Sequence, residues 1–181
     1  MPQDGKNINR CFPGSYDGTF TDVLARFVFD ELIAPSDVLI DLHGGDMVEA
    51  LEPFSLYDES PVEDRARELA IAFGLPYVVR SAPAHAPISG TTSGAAAAVG
   101  VPGVIAEAGG CGLLEESAVQ MHLDGLANVL RQLEKNLSDL QSQLATMDAF
   151  SEQAMPYLVG DQLFGRPVVI GTSRKSFLGK I

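Results

Sequence analysis

Residues 37–46 read Asp37-Val-Leu-Ile-Asp-Leu-His-Gly-Gly-Asp46. Val38, Leu39, Ile40 and Leu42 form an apolar run broken only by Asp41, with Pro35-Ser36 before it and Gly44-Gly45 after it. A short apolar run bounded by turn residues predicts a strand buried on both faces, the kind found in parallel sheets. His43 then stands at the carboxyl end of that strand. In open α/β sheets ligands bind at strand ends, where the chain leaves the sheet and opens a crevice, so His43 is a site candidate. Asp41 and His43 lie two apart and point to the same face. A carboxylate at that spacing orients the imidazole, binds substrate or holds a loop, and a structural histidine with a hydrogen-bonded aspartate is the alternative.

The flanking pattern fits the same architecture. Thr19 with Asp22 three residues on forms a capping box, and Leu24, Phe27 and Val28 supply one apolar helical face that ends by Ala34, before Pro35. Ser60-Pro61-Val62-Glu63 is a second capping box with proline in the first turn, and the helix it starts stops at Gly74. Pro76 to Val79 and Val101 to Ala106 predict two more strands, the latter delivering Glu107 into Gly109-Gly110. The stretch between them is loop, with Thr91-Thr92-Ser93 leading into a short Ala-rich helix. This alternation predicts a three-layer α/β/α arrangement around a mostly parallel or mixed sheet.

From Glu115 the chain predicts one long helix. Val119, Leu123, Leu126, Leu130, Leu133, Leu137, Leu140, Leu144 and Met147 recur at four-three steps, the period of a coiled-coil seam. A helix docked on the sheet and running on into solvent is one reading, and self-association through residues 119–147 is the other. Residues 151–166, with Pro156, Gly160 and Gly165, read as linker, and Pro167 to Ile170 as a solitary strand in a poorly packed tail.

Composition bounds the function. A chain of 181 residues, 46% hydrophobic and 20% charged, suits one soluble domain with room for a tail. There is no apolar run of membrane-spanning length and no basic-then-apolar leader, so a cytoplasmic location is expected. Cys11 and Cys111 are far apart and read as reduced thiols. Twelve Lys and Arg against 24 Asp and Glu give a net charge of −12, which argues against nucleic acid as a partner. The imbalance is local: residues 1–130 hold 6 basic against 19 acidic side chains, and residues 131–181 hold 6 against 5.

The first eighteen residues are polar loop, yet Asn7, Asn9 and Arg10 cluster there as a binding loop would require. An arginine fork grips a carboxylate at two points, and a neighbouring amide adds a neutral donor. Glu107, at a strand end, has the chemistry of a general base. His85 and His122 lack partners at metal-ligand spacing and read as structural or solvent-facing.

Three segments, Asp4-Gly-Lys-Asn-Ile-Asn-Arg-Cys-Phe-Pro-Gly14, residues 36–46 and Gly100-Val-Pro-Gly-Val-Ile-Ala-Glu-Ala-Gly-Gly-Cys-Gly112, resemble in order and spacing the succinylglutamate desuccinylase and aspartoacylase family. The resemblance covers about residues 2–133. It implies a carboxypeptidase-like fold and a zinc-dependent deacylase that cleaves the amide bond of a small, carboxylate-bearing N-acyl amino acid. It further implies His43 as a Zn²⁺ ligand, Glu107 as the base that activates water, and Asn9 and Arg10 as the grip on the substrate carboxylate. The family's upstream His-x-x-Glu ligand motif is not found, since no histidine here is followed three residues later by glutamate. One imidazole falls short of the three protein ligands of catalytic zinc, so the site is expected to be incomplete in this chain. Met1 lies so close to the Asp-Gly-Lys-Asn loop that it reads as an internal codon or a boundary.

Gly165 to Ile181 resembles instead a strand-end motif of dihydropteroate synthase, which implies pterin or phosphate contacts for Ser173, Arg174 and Lys175. The organisation expected is a partial deacylase-like core over residues 1–133, a helix extension and linker over 134–164, and this tail over 165–181. Besides a deacylase, a pterin-binding transferase and a non-catalytic self-associating module are the alternatives.

Overall fold

The computed structural model describes residues 1–82 and 90–160, and the chain divides into two compact units, Met1–Leu133 and Glu134–Ile181. The predicted strand at 167–170, the tail residues Ser173, Arg174 and Lys175, and His85 lie outside the described residues.

The first unit is an α/β fold with a four-stranded sheet. Its strands are β1 (Leu39–His43), β2 (Phe54–Asp58), β3 (Tyr77–Ser81) and β4 (Gly103–Glu107), and its helices are α1 (Phe20–Val28), α2 (Glu63–Phe73), α3 (Thr92–Ala98) and the start of α4 (Glu116–Gly160). Spatial order is β1-β4-β2-β3, with β1 and β4 parallel, β2 and β3 parallel, and β2 antiparallel to β4. The sheet is therefore mixed. One face carries Tyr57, Val104 and Ala106 against Ala66, Leu69 and Phe73 of α2 and Val129 of α4. A second core joins Phe12, Ala25, Phe29 and Ile33 to Ala95 and Ala96 of α3, with Leu39 of β1 packed against it.

Strand β2 is not among the strands that the sequence predicts. Phe54-Ser-Leu-Tyr-Asp58 has no clean alternation because Ser55 and Tyr57 are both buried, one polar and one aromatic. The second predicted capping box also fails. Helix α2 starts at Glu63 without a side-chain cap, and the Glu63 carboxylate turns to Arg80 of β3 instead, at 2.8 Å. The first holds, with Asp22 Oδ2 accepting from Thr19 N at 2.9 Å. Beyond Val28 the helix widens into a π turn over Phe29–Ile33, closed by Ala34 N donating to Phe29 O.

In the second unit the backbone remains helical to Gly160, so residues 151–160 are not the linker that Pro156 and Gly160 suggested. Extending a formed helix fixes one residue per hydrogen bond gained, which carries it through Ser151 to Met155, whereas Pro156 adds no N–H to the ladder. Among the described residues no helix is long and apolar enough to cross a membrane.

Candidate active site

Register builds the site. β1 pairs with β4 so that His43 stands opposite Glu107, and Asp41 opposite Ile105. β2 pairs with β4 so that Phe54 stands opposite Glu107 and Leu56 opposite Ile105. Alternation then sets Asp41, His43, Ile105, Glu107, Leu56 and Asp58 on one face, beneath the N-terminal loop and the start of α3. A cavity of about 180 Å³ lies there, lined by Asn9, Arg10, His43, Asp58, Ser93 and Glu107 among others. It adjoins a more polar one of about 350 Å³, to which Asn7, Asp46 and Glu49 also contribute. The five residues singled out in the core sequence thus meet in one place, from three separate segments.

His43 is clamped. Its Nδ1 lies 3.0 Å from Glu107 Oε1 and its Nε2 lies 3.1 Å from Asp41 Oδ2. Asn9 Nδ2 approaches the same Nε2 at 3.3 Å. The hydrogen bond to Asp41, then that to Glu107, pushes the imidazole pKa up to about 10, against the burial that would lower it. Burial raises the Asp41 carboxyl, but hydrogen bonds from His43 and from Thr92 Oγ1 outweigh this and leave it below the ordinary value. Glu107 keeps its second oxygen, Oε2, buried and without a hydrogen-bond partner.

The N-terminal loop is anchored from both sides. Asp4 accepts from Thr21 N and from the hydroxyls of Thr19 and Thr21, which hold its carboxyl well below the usual carboxylate range. Lys6 Nζ lies 2.6 Å from Asp22 Oδ2. Asn7 Oδ1 accepts from Asn9 N and so caps a 3₁₀ turn at Ile8–Arg10, while Asn9 Oδ1 accepts from Thr92 N at 2.9 Å. Asn9 therefore couples the loop, the start of α3 and His43. Gly90 has φ +82°, and a Cβ there would stand 2.3 Å from Arg10 O. Gly90→Ala is expected to push Arg10 off the cavity and weaken binding of a carboxylate ligand at least tenfold, measured by calorimetry. Unchanged affinity would show that the loop yields without cost.

Several contributors were invisible in the sequence. Ser93 Oγ donates to Asp58 Oδ2 at 2.5 Å, and Thr92 reaches Asp41, because α3 starts against the sheet. The Gly90-Thr-Thr-Ser93 pattern marks a helix start, and Thr91 Oγ1 does accept from Gly94 N, but nothing local points to Asp41 or Asp58. His122 of α4, read as structural, has Nε2 3.1 Å from His43 O and presents its ring edge-on to Phe73. It fixes the backbone from which His43 projects.

The succinylglutamate desuccinylase/aspartoacylase catalytic-domain model matches residues 2–133. The chain belongs to this family. N-alpha-acetyl-L-2,4-diaminobutyric acid deacetylase of Halomonas elongata is 41% identical over 81 residues, which are 43% of this chain and 24% of that enzyme. Among solved structures, the product-bound ectoine utilization protein EutE (DoeB) of Ruegeria pomeroyi matches with a TM-score of 0.64 at 30% identity, over 71% of this chain and 40% of that one. A succinylglutamate desuccinylase/aspartoacylase from Rhodobacter sphaeroides matches with a TM-score of 0.59 at 30% identity, over 72% of this chain and 38% of that one. The chain thus spans between a quarter and two fifths of the length of these relatives. The likeness of residues 165–181 to dihydropteroate synthase lies outside both the family match and the described residues.

Catalytic zinc takes three protein donors and an open position. Among the described residues no group of three or more His, Cys, Asp and Glu side chains is placed to hold a metal ion. Both nitrogens of His43 have protein partners, and a metal would have to displace the partner and proton of one of them. The described residues do not fit a catalytic zinc.

Proposed function

We propose that this chain carries the substrate-gripping and proton-transfer side of a deacylase site for small N-acyl amino acids. The observation that carries the reading is the Glu107 carboxylate. One oxygen is held by His43, the other is buried and unpaired, and the residue lines the cavity. A carboxylate so placed accepts a proton from a water molecule as that water attacks the amide carbonyl. The same proton then passes to the leaving nitrogen as the C–N bond breaks, giving a free acid and a free amine. Asn9 and Arg10 line the same cavity, and a guanidinium there matches the carboxylate of an amino acid. The deacetylase relative acts, by its name, on an acetylated diaminobutyric acid, which makes N-acetyl-L-2,4-diaminobutyrate the first ligand to try. Zinc, implied by the family resemblance, would need donors beyond the described residues, with His43 releasing one ring proton to join them.

Calorimetric titration of N-acetyl-L-2,4-diaminobutyrate tests this reading without requiring turnover. Saturable binding is expected to weaken at least tenfold in Arg10→Ala, the ~1.5–3 kcal/mol of a charge-assisted hydrogen bond, and to survive in Glu107→Gln. Absence of saturable binding by the unaltered chain, or equal binding by Arg10→Ala, would overturn the assignment.

A further inference from the structure

Two stripes run along α4, and they do not coincide. The face of α4 that meets the rest of the first unit centres on Ala118, His122, Gly125 and Val129, spaced four, three and four, with Leu126 of the seam partly buried at its edge. The leucine seam is offset from it by one residue, roughly 100° around a helix. Within the same unit, Val129 is 2% exposed while Leu123 and Leu130 are 54% and 61% exposed. Docking of α4 therefore accounts for Leu126 but not for Leu123, Leu130 or the seam that continues beyond them. The spacing continues through Leu133, Leu137, Leu140, Leu144 and Met147, all exposed. A strict seven-residue repeat drifts off a straight helix's packing face and stays in contact only with another helix that supercoils around it.

We propose that α4 pairs with α4 of a second copy of this chain as an antiparallel coiled coil centred between Ser138 and Asp139. With Leu130, Leu137 and Leu144 at a positions and Leu133, Leu140 and Met147 at d positions, the seam is its own complement under a two-fold axis. Leu137 of one copy meets Leu140 of the other, Leu133 meets Leu144, and Leu130 meets Met147. That closes the contact at two chains. The flanks agree: Glu134 comes opposite Gln141 and Asn136 opposite Gln143, so no like charges face each other. Orientation follows from charge. The N-terminal 130 residues carry a net −13 and the rest +1, so a parallel pair would set two strongly acidic parts side by side, whereas an antiparallel pair separates them. Burying a leucine side chain removes about 60–120 Å² from water, so six per copy with their flanks approach the ~800 Å² per partner of a specific interface.

Light scattering of the full chain should give twice the chain mass at concentrations up to about 100 μM. Leu137→Glu with Leu144→Glu should give a monomer whose helical circular dichroism shows the first unit still folded. A second pair of changes, Glu134→Lys with Gln141→Glu, places opposite charges across an antiparallel pair only, and should tighten dimerisation several-fold at low salt. A monomeric wild-type chain, which is also what residues 161–181 folding back on the seam would give, overturns the proposal. So does a mass of three or more copies, a dimer indifferent to the leucine changes, or one whose affinity ignores the charge swap.

Discussion

Gly125→Ala should destabilise the Met1–Leu133 unit by about 2 kcal/mol, the net of overpacking at about 3 and the ~1 that alanine returns as a better helix former. A Cβ on residue 125 would stand 2.2–2.5 Å from three carbons of the Phe73 ring. That ring is buried at 2% exposure and has His122 edge-on beside it, so it has nowhere to move without disturbing the site. The neighbouring contacts tie the same two helices together. Gly74 ends α2 in the left-handed conformation, and Asn128 Nδ2 donates to Phe73 O at 3.2 Å. A 2 kcal/mol loss lowers the thermal midpoint of a domain this size by roughly 8 °C, measured by circular dichroism. Adding Phe73→Leu should restore part of the loss, because the smaller side chain vacates the position the methyl needs. If the single variant melts with the wild type, α4 rests less tightly on α2 than these distances imply. The consequence reaches the site as well, since His122 sits one turn before Gly125 and holds the His43 carbonyl.

How far such relations could be read in advance depended on how local they are. The ends of β1 and β4 were legible because apolar runs stop at His43 and Glu107 and glycines follow. The Asp22 contact to Thr19 was legible because both partners lie within one turn. What the chain does not print is pairing. Nothing in residues 37–46 or 101–107 says that β1 and β4 are neighbours in register, yet that single fact puts Glu107 Oε1 3.0 Å from His43 Nδ1. Strand β2 escaped for a related reason. It sends a serine and a tyrosine to the interior and two apolar side chains, Phe54 and Leu56, to the cavity face, so neither alternation nor an apolar run marks it, although Phe54 and Tyr57 are good strand residues. Gly125 does carry a local signal. A glycine inside a long helical pattern costs about 1 kcal/mol and implies a close neighbour, here the Phe73 ring.

The clamp on His43 leads to the second large effect, a change of stability with pH. His43 has a folded pKa of about 10 against about 6.5 in an unfolded chain, so the native state binds the extra proton in that interval. Its contribution is complete below about pH 6.5 and is lost as pH rises through about 10. Asp41 acts in the opposite window: its carboxyl is depressed, so what it adds is present above the ordinary carboxylate range and is lost as pH falls through its folded value. Stability should therefore hold between about pH 4.5 and 6.5 and decline steadily toward pH 10. His43→Gln keeps a hydrogen-bonding side chain but removes the cation between two carboxylates. Near pH 6 it should be about 2 kcal/mol less stable than wild type, below the ~3–5 of a fully buried broken pair because all three side chains retain some exposure. Near pH 10 the imidazole of the wild type is itself losing its proton, and the two proteins should converge. Urea midpoints at a series of pH values separate this from a packing effect, which would leave the two curves parallel across the range and would show that His43 is held by shape and not by charge.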